Sequence, residues 1–210
     1  MKKFLKRQRE KLKHFYHQKK LKHHDFSLIS NNCWGTRVYQ RFGLAYASPF
    51  QSLFLMADDY LTLLDGFCEE KLVLQKFITR EESKYKEYIY NDKELYELNY
   101  PIGVLIGGEE LHFQHYTSKE YAQEKWEKRV KRINWEKLLF KFSDGYLATQ
   151  EHIKTFDKLP FEHKICFSAK PCEECSSVIY MDRFEDKEKV ELEWKYDKYY
   201  INLHKVINNL

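Results

Sequence analysis

Four short apolar runs, Phe26–Ile29, Leu111–Phe113, Leu138–Phe142 and Ile165–Phe167, each stop abruptly in polar residues. Runs this short and this apolar suit strands buried on both faces, because a half-exposed strand would alternate apolar and polar residues. Segments with helical periodicity lie between them. Thr36 can cap a helix running to about Leu44, Pro49 opens FQSLFLMADDYLTLL, and Thr117 and Glu120 have the spacing of a capping box at the start of SKEYAQEKWEKRVKRIN. LATQEHIKTFDKL reads as a helix stopped by Pro160, and YYINLHKVINN as a closing one. Strands alternating with helices predict an α/β fold of three layers, with a largely parallel or mixed sheet covered by helices on both faces.

Charge divides the chain. Residues 1–24 hold eight Lys, two Arg and a single acid, Glu10, for a charge of +9. The whole chain is +4, so residues 25–210 carry −5. We therefore expect a basic amphipathic segment over 1–24, with Phe4, Leu5, Leu12, Phe15 and Tyr16 at helical spacing, and a single α/β domain over 25–210. An anionic membrane surface is the partner that such a segment suits. An acidic body disfavours nucleic acid. No apolar stretch approaches the roughly 20 residues needed to span a bilayer, and the basic start is not followed by a signal-peptide core. Five irregularly spaced Cys form no disulfide framework, and Cys172-Glu173-Glu174-Cys175 is half a zinc site with no second half. The expected location is the cytoplasm, peripheral to the inner face of the membrane.

The strand tips carry the candidate chemistry. They end in Ser30-Asn31-Asn32, Gln114-His115-Tyr116, Ser143-Asp144 and Ser168-Ala169-Lys170. If all four strands are parallel, these groups converge on one rim, where open α/β sheets bind ligands. Asn31 and Asn32 suit sugar hydroxyls, and Trp34 offers a flat face to a sugar ring. His115 or Asp144 is the candidate proton acceptor. Arg129 and Arg132, at i and i+3 on the capped helix, or Lys170, suit a phosphate. His112 and His115 would face opposite sides of a strand, and no metal-ligand set is read from the sequence. Phosphate-binding, serine-hydrolase and zinc-protease motifs (GxxxxGK[ST], GxGxxG, GxSxG, HExxH) do not occur, and no cofactor is indicated.

ISNNCWG, the SPF turn before DDYLTLL, YPIG, HFQHY, KWEKRVKRIN and KFSDG occur in that order across residues 25–205. In these landmarks the chain resembles a bacterial family of unknown function whose members are often labelled exopolysaccharide or capsular polysaccharide biosynthesis proteins. Where the family commonly has an acidic residue after YPIG and its short strand, this chain has Gly107-Gly108 before Glu109. The resemblance implies an α/β fold and work on cell-surface glycans, and supplies no reaction or catalytic residue. The expected function is a transferase of surface-polysaccharide assembly acting on a sugar or lipid-linked sugar acceptor. The alternative is a non-catalytic glycan-binding or scaffolding protein that recruits synthesis enzymes to the membrane.

Overall fold

The structure, a computed structural model, describes residues 2–210. Helix α1 (Lys2–Lys19) leads into strand β1 (Ser27–Ser30), followed by α2 (Trp34–Phe42) and α3 (Ala57–Leu64). Then come β2 (Leu74–Ile78), two short helices α4 (Lys86–Asn91) and α5 (Lys93–Glu97), and β3 (Ile102–Leu105) with β4 (Glu110–His112). The chain continues through α6 (Lys119–Val130), β5 (Leu138–Ser143), α7 (Gln150–Lys158), β6 (Lys164–Ser168), β7 (Val178–Tyr180) and α8 (Leu203–Asn208).

Four strands form a parallel sheet in the order β1-β5-β6-β7. Their side chains alternate between two cores, so the expected three layers are present. Ile29, Phe140, Phe142 and Cys166 pack on one face with α3, α6 and α7. Leu28, Leu139, Ile165 and Phe167 pack on the other with α2, α8 and the irregular C-terminal segment. Burial on both faces is why these strands read as unbroken apolar runs.

The second sheet, β2-β3-β4, is antiparallel. Its Leu111 and Phe113 join the first core, and a third, smaller core gathers Phe54, Met56, Ile89, Leu95, Tyr100 and Ile102. This corrects the expectation that four strand tips share one parallel edge. The run Leu111–Phe113 pairs with β3 through a tight turn at Gly107-Gly108, where Gly108 takes a φ of +91°. A connection that short can join only antiparallel neighbours.

Candidate active site

The tips of β1, β5 and β6 lie side by side because their registers align Ser30 with Lys141 and Ser143 with Phe167. Beyond them the chain reverses to make the floor of a cleft of about 620 Å³, a volume suited to a small ligand. Asn32 and Ser143 come from the strand tips, Tyr88 and Leu95 from α4 and α5, Asp92 from the junction between those two helices, and residues 189–194 close the far side.

At the floor sits a group the strand tips alone did not reveal. Lys141 is fully buried in the middle of β5, on the same face as Leu139 and Ser143. A buried ammonium is costly unless paired and fully hydrogen-bonded. Here Nζ donates to Glu193 Oε1 at 2.6 Å, Asn32 Oδ1 at 2.9 Å and Ser143 Oγ at 3.1 Å, using all three of its protons. The Asn32 amide is equally committed. Its Nδ2 donates to Glu193 Oε1 (2.6 Å) and Ser143 Oγ (3.1 Å), while Oδ1 also accepts from the Trp34 backbone N–H at the start of α2 (3.1 Å).

Two polar functions are left over. Glu193 receives both bonds on Oε1, and Oε2 accepts none from the described residues. Ser143 Oγ accepts from two donors, so its own proton is uncommitted. A carboxylate oxygen and a hydroxyl donor on one cleft floor match a ligand hydroxyl, which donates to the first and accepts from the second. Backbone strain concentrates here as well. Tyr146, Leu147 and Leu192 are non-glycine residues with φ of +56°, +64° and +50°, on the two segments that flank the floor. Such conformations cost on the order of 1–3 kcal/mol each and cluster where a site's geometry over-determines the backbone.

The residues singled out from sequence fall into three groups. Asn32 lines the cleft and holds Lys141 and Glu193 in place. Asn31 and Trp34 are fully buried behind it. Asn31 Nδ2 donates to the Ser143 carbonyl (3.3 Å), with no partner for Oδ1 among the described residues, and Trp34 Nε1 donates to Asp197 Oδ2 (2.9 Å). Trp34 is thus a core anchor with no face for a sugar. Asp144 lies beside the floor, with Oδ2 on the Ala169 N–H (2.5 Å) and Oδ1 on the Val190 N–H (2.8 Å). Burial raises its pKa and the two amides hold it down, so its role is to tie β6 and the C-terminal segment to β5.

The remaining candidates do not line the cleft. His115 follows the lining residue Gln114 at the end of the antiparallel sheet. Partial burial lowers its pKa, and the Arg37 charge adds to the effect. Arg129 donates to Tyr116 OH (2.5 Å), and Arg132 reaches the Tyr46 carbonyl (3.4 Å). Lys170 binds the Glu185 carbonyl. Arg129 projects from α6 and Arg132 from the turn after it, and α6 packs against the opposite core from the cleft floor, so one rim cannot gather them. Cys33 is buried with its thiol raised to about 11, chiefly by desolvation, so it is no thiolate nucleophile near neutral pH. Cys172 and Cys175 are joined to each other. Among the described residues no group of three His, Cys, Asp or Glu side chains is arranged to hold a metal ion.

Sequence reasoning passed over Lys141 and Glu193. Lys141 carried a readable signal, since a lone Lys in LLFKFS, with apolar neighbours on both faces, must find a buried partner. Glu193 carried none. It lies in the C-terminal stretch VELEW, where Glu193–Lys195 folds as a 3₁₀ turn.

A family model described as "Domain of unknown function (DUF1919)" matches residues 4–209. A Haemophilus influenzae protein described as uncharacterized is 32% identical over 176 residues, spanning 82% of this chain and 76% of its own length.

Proposed function

The chain belongs to the DUF1919 family, and on that premise we propose that it is a transferase of surface (exo- or capsular) polysaccharide assembly that binds a sugar or lipid-linked sugar acceptor in the cleft. The carrying observation is the pair of free functions on the floor, Glu193 Oε2 and the Ser143 hydroxyl, held by Lys141 and Asn32. A polyhydroxylated ligand is what such a donor–acceptor pair reads, and Tyr88, Tyr146 and Trp194 supply aromatic surface for its carbon faces. The order of landmarks shared with proteins labelled for polysaccharide biosynthesis supports the substrate class.

In the proposed step an acceptor hydroxyl rests between the two groups. Its oxygen attacks the donor's transferred carbon, its proton passes to Glu193 Oε2, and the bond to the donor's leaving group breaks with the electron pair going to that group. Lys141 and Asn32 hold the carboxylate through Oε1, which fixes the direction of the free oxygen. Lys93 and Lys189 on the cleft wall are placed to accompany a phosphate-bearing donor. A lipid-linked acceptor would bring the protein to the inner face of the membrane. Among the described residues no helix is long and apolar enough to cross one.

The test is to screen the purified protein for binding and transfer against nucleotide sugars and glycan acceptors, beside Ser143→Ala and Glu193→Gln. Ser143→Ala should weaken acceptor binding by about tenfold, the worth of one hydrogen bond to a ligand hydroxyl. Glu193→Gln should lower turnover by roughly 10²–10⁴ while the acceptor still binds. Thermal melts check that both variants are folded. Wild-type turnover in folded Glu193→Gln would overturn the catalytic assignment. Sugar binding without turnover in the wild type would leave a glycan-binding protein.

A further inference from the structure

Helix α1 is mounted with its amphipathicity reversed. At 100° per residue, Phe4, Leu5, Leu12, Phe15 and Tyr16 fall within an arc of roughly 120°. All five are exposed, from 54% for Leu5 to 68% for Leu12. The side turned to the body is polar. His17 Nδ1 meets His204 Nε2 at 3.2 Å, and Gln18 Nε2 donates to the carbonyls of Phe42 (2.9 Å) and Gly43 (3.2 Å). His14 closes over Gly43 so tightly that a Cβ there would lie 2.5 Å from its ring. A surface helix ordinarily turns its apolar stripe inward. Here the stripe faces away from the protein, and contiguous exposed apolar surface of this kind marks an interaction face.

The borders of the stripe are cationic. Arg9, Lys13 and Lys20 run along one side and Arg7 and Lys11 along the other, all exposed. Lys19 and Lys20 fold over the rings of Phe15 and Tyr16, with Nζ 4.6 Å and 4.1 Å from the ring centres. The single acid of the helix, Glu10, falls on the body side of the wheel.

We infer that α1 is a docking face for an anionic lipid surface, on which the stripe enters the headgroup boundary while its flanking cations meet lipid phosphates. A helix that lies in an interface has this pattern of an apolar face bordered by Lys and Arg, with the two signals adding. A nucleic acid offers the cations a partner but leaves Leu5 and Leu12 in water. The body, at −5, is repelled by the same surface, which leaves α1 as the contacting element. This inference deepens the proposed place of work but rests on the helix alone, independent of the cleft's ligand.

The experiment is co-sedimentation of the full-length protein with phosphatidylcholine vesicles, with and without phosphatidylglycerol, at low and physiological salt. Binding should favour the anionic vesicles by at least about tenfold and weaken with salt. The triple variant Phe4→Ser, Leu12→Ser, Phe15→Ser keeps every charge and removes no contact to the body. It should lose about tenfold or more of that binding. Arg9→Glu with Lys13→Glu should lose a similar amount with the stripe intact. Unchanged vesicle binding by the triple variant would overturn the inference. So would equal binding to neutral vesicles, or retention by duplex DNA with none by vesicles. Ser143→Ala, which changes the cleft floor and leaves the Lys141–Glu193 pair in place, should bind vesicles as the wild type does, so the helix and the cleft fail or stand separately.

Discussion

His112 shows how one buried residue sets the response of the fold to acid. It is fully buried, stacked on Phe54 with ring centres 4.6 Å apart, and its Nε2 has no hydrogen-bond partner among the described residues. Glu110 Oε2 stands 3.7 Å away, within ion-pair distance only if the ring were charged. Burial, with the Lys84 charge adding to it, lowers the pKa to about 3, so at neutral pH the ring is uncharged and no ion pair exists. The folded state therefore binds this proton less readily than the unfolded chain, whose histidine titrates near 6.5. The stability involved is complete above pH 6.5 and is lost as pH falls from there toward 3, at up to roughly 1.4 kcal/mol per pH unit. Replacing His112 with Phe keeps the stacking and removes the titration. Chemical denaturation at a series of pH values should show a flatter acid limb for His112→Phe than for the wild type. Equal slopes would mean that the loss belongs to other groups.

At the scale of elements, α1 and α2 meet at a point where a side chain cannot be added without displacing its neighbour. Gly43 follows α2 as its C-cap with φ +64°, and its N–H closes onto the carbonyls of Gln40 and Tyr39. The left-handed cap favours glycine, and the space a Cβ would fill is occupied by His14. Gly43→Ala should cost about 1 kcal/mol from the backbone alone. It should also lift α1, so proteolysis within residues 4–19 should accelerate while the rest of the chain stays resistant. Uniform resistance would show that α1 is held elsewhere. The elements also show what the sequence discloses. β1, β5 and β6 were legible because strands buried on both faces leave continuous apolar runs, and their polar tips marked the cleft edge at Asn32. The antiparallel sheet was not, because a run as short as Leu111–Phe113 does not encode the direction of its neighbour. A polar residue after Phe113 looks the same in either sheet. The start of α6 moved by one residue, from Thr117 to Ser118, whose side chain accepts from the Tyr121 N–H (3.2 Å), since adjacent hydroxyls compete for the same cap. Pro49 opens no helix; the chain stays irregular until Ala57, because Leu53, Phe54 and Leu55 are consumed in tertiary contacts and in a bridge to His112.

Across the whole molecule, the last irregular stretch completes a core laid down much earlier in the chain. Val190 donates its N–H to Asp144, Glu193 neutralises Lys141, and Asp197 accepts from Trp34 Nε1 and pairs with Arg41 at 2.9 Å. Each partner belongs to β5, to its tip or to α2, so residues 189–197 bind two separate pieces of the fold at once. Long-range partners of this kind are invisible to local sequence patterns, which is why Lys141 and Glu193 could not be matched before the fold was known. The consequence can be tested by ending the chain at residue 188. Removing one member of a buried pair leaves the other charge uncompensated, at roughly 3–5 kcal/mol, out of a total stability on the order of 5–15 kcal/mol. The truncation also strips α8, whose Leu203 and Ile207 cover the second core. The shortened protein should lose its near-ultraviolet circular dichroism and elute at an expanded radius. Glu193→Leu in the full-length chain separates charge from coverage. It should lower stability by several kcal/mol with the fold intact, and adding Lys141→Met should recover most of the loss by making the site apolar on both sides. A full-length Glu193→Leu protein as stable as the wild type would show that Lys141 finds its counter-charge elsewhere. The C-terminal segment would then be a cover and not a clasp.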